Sequence, residues 1–219
     1  MIIAIDGPAA TGKSTTAKSV AQKLGFLYLD TGAMYRCVTL ATLNEGIDIH
    51  HRRELEQVLS KIDIRMIMEN GENRNFLNGR DVSEEIRRPD VTRKVSEVSA
   101  MESVRKAMVQ IQRDIASKVD CVIEGRDIGT VVFPHAEYKY FLTADSYVRA
   151  ERRQKDLLAL GERKSIEELE ADIKLRDQYD SNRSISPLKK AEDAVVIDTT
   201  KLSIDKQVSR IIEMINSNK

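Results

Sequence analysis

Apolar residues along this chain fall into short solid blocks alternating with helically spaced ones. Ile2 to Asp6 is an apolar run closed by an acid and a glycine, the pattern of a buried strand. From Thr15 to Leu24 the apolar positions Ala17, Val20, Ala21 and Leu24 recur at helical spacing, and Gly25 closes the pattern. Phe26-Leu27-Tyr28-Leu29 reads as a second strand, Thr31 as the cap of a helix through Tyr35, Val38, Leu40 and Leu43, and Gly46 as its end. Such a strand–helix–strand–helix opening implies a parallel sheet. Cys121-Val122-Ile123-Glu124, Tyr138-Lys139-Tyr140-Phe141-Leu142 and Ala194-Val195-Val196-Ile197 add three more short strands, the last two followed by helical patterns. Five buried strands make a central sheet.

Between Asp63 and Gly79 the rhythm changes. Ile64-Arg65-Met66-Ile67-Met68, the turn Asn70-Gly71 and Asn75-Phe76-Leu77-Asn78-Gly79 read as a hairpin, hence an inserted lobe. Asp90 to Lys118 is helical, with a weak point near Met101 and apolar positions at Val104, Met108, Ile111 and Ile115. Ser146 to Leu160 and Ser165 to Asp180 are two highly charged helices joined across Gly161, a composition that most often marks a solvated face.

Composition narrows the classes. A chain of 219 residues suits one α/β domain with insertions, or one core and a small lobe. Lysine plus arginine and aspartate plus glutamate both number 35, so net charge points to neither nucleic acid nor membrane as partner, and any anion site must be local. The start Met1-Ile2-Ile3-Ala4-Ile5-Asp6 lacks a basic leader, which argues against a signal peptide, and no run approaches the roughly 18 apolar residues of a membrane span. Cys37 and Cys121 are too few for a disulfide framework; two buried thiols in a cytoplasmic protein are expected.

The strongest chemical signal is Gly7-Pro8-Ala9-Ala10-Thr11-Gly12-Lys13-Ser14, which has P-loop spacing and lies between a strand and a helix, as that motif requires. Its glycines let backbone N–H groups converge on phosphate oxygens, and the helix N-terminus adds its positive end. Lys13 is placed to bridge the β- and γ-phosphates and Ser14 to offer a hydroxyl to Mg²⁺. The nucleotide site is expected over Gly7 to Ser14 together with Thr15, with ATP as donor and Mg²⁺ as cofactor.

A P-loop alone does not separate GTPases, motor ATPases and small-molecule kinases. Three later segments do the sorting: Asp30-Thr31-Gly32-Ala33-Met34-Tyr35-Arg36, Glu124-Gly125-Arg126-Asp127-Ile128-Gly129-Thr130-Val131-Val132-Phe133-Pro134, and Arg176-Asp177-x-x-Asp180-x-Asn182-Arg183. Each puts arginine near acid at the end of an element, which suits a second anion facing a triphosphate.

With these motifs together, the chain from about Ile3 to its last helix resembles the bacterial cytidylate kinases, of the nucleoside monophosphate kinase family. The Asp63 to Gly79 hairpin is similar to the insert that sets those kinases apart from shorter relatives. The resemblance implies an α/β fold of the P-loop NTPase type: a five-stranded parallel sheet flanked by helices, an inserted small β lobe on the monophosphate side and a helical lid. It implies a core over 1–36, 84–143 and 184–219, a lobe over 60–82 and a lid over 144–162. The implied reaction is ATP + CMP ⇌ ADP + CDP, with dCMP also accepted, by a monomer acting on small molecules. Two departures are small: Thr31 stands where many relatives have serine, and Glu124 where others have aspartate.

Phosphoryl transfer needs positive charge around the moving group more than it needs a general base. Lys13, Arg126 and Arg153 are therefore the catalytic candidates. By resemblance, Arg36 and Arg126 hold the monophosphate's phosphate, with Thr31 and Tyr35 on the same substrate. Arg149 covers adenine and Arg153, four residues on and on the same face, reaches the phosphates. The resemblance also implies that Ser96, Arg105 and Asp127 read the base with Arg183 close by, and that Arg176 and Asp180 address the sugar.

Glu124 ends a strand expected to neighbour the P-loop strand, where it either orients magnesium's waters or serves the fold. His50, His51 and His135 have no metal-ligand spacing with the cysteines and read as loop residues. The competing readings are a small-molecule P-loop kinase with another acceptor, and a nucleotide-binding switch without turnover. Against the switch, the guanine-reading pattern Asn-Lys-x-Asp is absent.

Overall fold

The computed structural model describes residues 1–69, 72–159 and 161–217, so the expected Asn70-Gly71 turn and Leu160 lie outside the described residues. Along the chain the elements are β1 (Ile2–Asp6), α1 (Lys13–Leu24), β2 (Leu27–Asp30), α2 (Thr31–Asn44), α3 (Arg52–Lys61), β3 (Ile64–Glu69), β4 (Glu72–Leu77), β5 (Arg80–Asp81), α4 (Pro89–Ala100), α5 (Glu102–Ala116), β6 (Cys121–Gly125), β7 (Tyr138–Thr143), α6 (Ser146–Ala159), α7 (Ile166–Asn182), β8 (Val195–Asp198) and α8 (Ile204–Ser217). A 3₁₀ turn covers Glu85–Arg87 and a π-helical turn Ile128–Val132. The chain divides into two compact units, 1–29 with 116–219, and 30–115.

The first unit is built on a five-stranded sheet ordered β2-β6-β1-β7-β8. β1 lies at its centre, parallel to β6 and β7, and β7 is parallel to β8. Ile3, Ala4 and Ile5 are all inaccessible, so this strand buries both faces and reads as a solid apolar run. Ile3 and Ile5 share a cluster with Ala17 and Val20 of α1, Val122 of β6, Leu142 of β7, and Val208, Ile211 and Ile215 of α8. Each such valine, leucine or isoleucine side chain contributes about 1.5–3 kcal/mol by leaving water, and truncating Ile5 to alanine would cost about 2–5 kcal/mol. α1 stops at Gly25, whose left-handed backbone turns its N–H onto the carbonyls of Ala21 and Gln22.

In the second unit α2 is buried nearly along its length and packs with α4. The 64–81 segment forms an antiparallel three-stranded sheet, β3-β4-β5, so the expected hairpin gains a short third strand. The expected weak point at Met101 is a real break: α4 ends there in extended backbone and α5 begins at the next residue. Thr31 is a correction. It is the first helical residue of α2, and the cap is Asp30, whose carboxylate accepts from the Ala33 N–H. Sequence periodicity also passed over α3, in which only Leu55 and Val58 are buried. Cys37 and Cys121 are both free and buried, and burial pushes each thiol up to about 12. Among the described residues no helix is long and apolar enough to cross a membrane.

Candidate functional site

β1 delivers the chain into the glycine loop at a point where only glycine fits. Gly7 has φ +147°, and a Cβ there would overlap the carbonyl oxygen of Leu142 in the adjacent strand. α1 then opens at Lys13 with no side-chain cap and no acidic residue in its first turn. Its N-terminal amides and positive helix end are thus left for an anion. The Ser14 and Thr15 side chains are exposed at this end, while Thr16 is buried and donates to Gln207 of α8 at 2.7 Å, tying the helix down.

Lys13 is buried, and its Nζ folds back to donate to the Pro8 carbonyl at 2.7 Å. Burial pushes its ammonium down to about 7, with the nearby charges of Arg126 and Arg176 acting the same way against Glu124 and Asp6. Lys13 is thus a desolvated cation with two arginine charges acting on it, and a polyanion bound there would stabilise its charged form. Glu124 Oε1 accepts from the Tyr28 hydroxyl at 2.6 Å, and the charge of the same carboxylate acts on Lys13. Among the described residues no three His, Cys, Asp or Glu side chains group to hold a metal ion. The donor set therefore suits a cation that keeps most of its water and is held by phosphate oxygens and the exposed Ser14 hydroxyl.

The strand-end cluster after β6 is tightly paired. Arg126 Nε donates to Asp180 Oδ2 at 3.0 Å, and Arg183 Nη2 lies 3.7 Å from Asp127 Oδ1. Both pairs join the turn after β6 to the C-terminal end of α7. The structure thus brings Arg126, Asp127, Asp180 and Arg183 together, with Arg176 electrostatically close through Lys13.

The charged helices are not simply a solvated pair. Ala150 and Leu157 of α6 pack on Leu169 and Ile173 of α7, with Ala10 of the glycine loop against them. α7 starts on a capping box between Ser165 and Glu168. Arg149 is buried: its Nη1 donates to Asp177 at 2.5 Å and to the Ala9 carbonyl at 3.2 Å. Arg152 donates to the Thr199 carbonyl at 2.6 Å and serves the scaffold. Arg153, on the same helix, is half-buried.

The remaining expected residues belong to the second unit. Thr31 and Tyr35 are buried on α2, and Arg36 donates through Nη1 to the Ile86 carbonyl and the Thr92 hydroxyl, both at 2.9 Å. Arg105 is 3% exposed, so it is not a solvent-facing residue of α5. Its guanidinium stands 5.2 Å from the centre of the Tyr35 ring and donates to the Ser99 carbonyl at 3.2 Å. Ser96 is half-buried on α4, one turn before Ser99. His50 and His51 precede α3 as loop residues, His50 with Glu97 and His51 with Glu54.

Two residues escaped the sequence reading. Asp177 is the partner of Arg149, and its only signal was a place beside Arg176 in the late Arg-Asp motif. Asp6 is a buried carboxylate accepting from Ile128 N at 2.9 Å and Gly129 N at 2.7 Å. Burial pushes it up to about 6, helped by Asp127 and opposed by those two N–H groups and by Lys13. The signal was there in an acid ending an otherwise apolar central strand.

Comparison with known proteins shows the family. The family model for cytidylate kinase matches residues 3–217. The chain is 47% identical over 215 residues to the cytidylate kinase of Lactobacillus johnsonii, covering 98% of this chain and 94% of that one. It is 49% identical over 212 residues to that of Halalkalibacterium halodurans, covering 97% and 96%. Among solved structures, an uncharacterized protein from Eubacterium ventriosum matches with a TM-score of 0.56 at 15% identity, covering 99% of each chain. A second, TT1252 from Thermus thermophilus, matches with a TM-score of 0.51 at 15% identity, covering 100% and 97%, which speaks to fold alone. With its glycine loop, its arginine pairs and a family match running almost from end to end, the chain belongs to the cytidylate kinase family.

Proposed function

We propose that this chain is a nucleoside monophosphate kinase that transfers the γ-phosphoryl group of ATP to CMP, and to dCMP, giving ADP and CDP or dCDP. The observation that carries the chemistry is the buried Lys13 at an uncapped, acid-free helix N-terminus, with the charges of Arg126 and Arg176 acting on it. Such a place is costly in the free protein and becomes favourable when phosphates arrive. Family membership supplies the acceptor, and a switch without turnover is not favoured.

In this reading Gly7 to Thr15 hold the triphosphate, Arg149 covers the adenine, and Lys13, Arg126 and Arg153 neutralise charge on the transferring group. Ser14 would hold magnesium, which when bound would supply positive charge to offset that of the phosphates. Arg36 and Arg126 hold the acceptor phosphate, with Thr31 and Tyr35 alongside; Ser96, Arg105, Asp127 and Arg183 serve the base, and Arg176 and Asp180 the sugar. Residues 1–36, 84–143 and 184–219 make the core, 60–82 an inserted lobe on the acceptor side and 144–162 a lid. The enzyme works as a cytoplasmic monomer on small nucleotides.

A coupled assay of ADP release, run with each nucleoside monophosphate in turn, tests this. CMP and dCMP should support turnover far better than UMP, AMP or GMP. A preference for another monophosphate would move the chain to a different acceptor, and no turnover with any of them would return it to a binding protein.

A further inference from the structure

We propose that Asp6 is a positioning residue for the acceptor side of the reaction, holding the turn that presents Arg126 and Asp127. The inference rests on the acceptor-side roles given to those two residues above.

The turn begins at Asp127 and runs through the π-helical residues Ile128–Val132, closed by Val131 N and Val132 N onto the Asp127 carbonyl at 2.9 and 3.2 Å. A helical turn leaves its first N–H groups without intrahelical partners, and here they are buried. The residue at the cap position is itself an aspartate, whose side chain would ordinarily accept from one N–H group of the first turn. Asp127 makes no such capping bond. Asp6 does it instead from a different strand, one carboxylate oxygen for Ile128 and the other for Gly129. The Asp127 carboxylate is thereby spared for other partners, with Arg183 at 3.7 Å.

Gly129 makes room for this arrangement. A Cβ there would stand 3.4 Å from Asp6 Oδ2 and 3.2 Å from Lys139 Cδ. Lys139 anchors the far end of the same segment, donating to the Pro134 carbonyl at 2.5 Å and to Asp193 at 2.7 Å. Asp6 therefore fixes where the turn starts, and with it the direction in which Arg126 and Asp127 leave β6. Asparagine can accept from only one of the two N–H groups and turns its own NH₂ toward the other.

The experiment is Asp6→Asn, assayed for KM of CMP and of ATP separately, and repeated in an Asp127→Ala background. Acting through the turn, Asp6→Asn should raise the KM for CMP at least tenfold and leave that for ATP within twofold. In the Asp127→Ala background the same change should cost less than about threefold, because residues that act as a unit are not additive. Equal losses for ATP and CMP, or a fully additive double variant, would overturn the proposal. Gly129→Ala pushes on the same contact from the other side and should give a weaker copy of the CMP effect, which covers the case in which Asp6→Asn folds poorly. Amide exchange at Ile128 and Gly129 needs no substrate: it should speed up at least tenfold in Asp6→Asn with α1 unchanged, and identical exchange would sink the proposal. A wild-type chain inactive on CMP but with this exchange signature would instead indict the acceptor assignment.

Discussion

Arg126 Nε donates to Asp180 Oδ2 across 3.0 Å, and the aspartate's side chain is only 5% exposed. A guanidinium held this way is aimed before any substrate arrives, so less freedom is lost when a phosphate takes its remaining N–H groups. Arg126→Lys keeps the charge and loses the fork; kcat with CMP should fall by about 10² or more. Asp180→Asn keeps an acceptor but removes the charge that holds the guanidinium, and should act mainly on the KM for CMP, raising it about tenfold. Steady-state kinetics on the two variants separate aim from charge, and unchanged constants in Asp180→Asn would deny the pair any role in aiming.

Lys13→Ala should abolish turnover and leave the fold intact. The lysine's ammonium is desolvated in the free protein and is useful only once phosphates are present. A loss of about 10³ or more in kcat is what removing a transition-state cation costs. Turnover near that of the wild type, in a variant with an unchanged melting profile, would refute the loop mechanism.

Base selectivity should follow Arg105 and Asp127, each tested alone. Cytosine differs from uracil where an amino donor and an acceptor nitrogen replace a carbonyl and a ring N–H. Asp127→Ala and Arg105→Met should each weaken CMP use and narrow the CMP-to-UMP ratio of kcat/KM, with ATP little affected. The ceiling for such discrimination is about 10⁴ to 10⁵, reached only in a dry site. Arg105→Met also removes the guanidinium stacked on Tyr35 and should cost about 0.5–2 kcal/mol of stability. A ratio that does not move in either variant would take both residues out of the base pocket.

Asp6 makes a prediction about pH. Its folded value, raised from 3.8 to about 6, means that the native state holds this proton more tightly than the unfolded chain. Its contribution to stability is therefore fully present below pH 3.8 and is lost as pH rises through about 6. Lys13 and Asp127 face this carboxylate with opposite charges, and Lys139 lies across Gly129 from it. Denaturant unfolding at a series of pH values should show the wild type losing on the order of 2 kcal/mol relative to Asp6→Asn between pH 4 and 7. A difference that is flat with pH would mean that the carboxylate titrates normally. The same group, ionised, would accept both N–H groups of the turn, so here the charge that serves positioning is the one that weakens the fold.

Much of this protein is a local matter, and local patterns announced it. The loop from Gly7 to Ser14 is recognisable because its chemistry depends on backbone geometry and on a helix start immediately following, both properties of neighbouring residues. The five strands came through within about a residue at their ends because each is a short apolar block, although the edge strand β8 is not buried as expected and exposes Val195 and Val196. The break at Met101 and the 64–81 insert were legible for the same reason, as changes of period. Other features were decided only by residues that meet across long stretches of chain. Whether Arg105 faces solvent or lies buried on Tyr35 is not written in the spacing of α5, since an arginine reads as polar either way. Arg149 and Arg152 sit on one charged helix and look alike in sequence, and both reach carbonyls of the glycine loop, yet one is ion-paired with Asp177 and the other is tied to Thr199. Asp6 reaches the turn it holds across 122 residues. Periodicity reports which way a side chain faces relative to its own element; it carries no information on which distant N–H a buried carboxylate will meet, and that pairing is set only when the strands have packed.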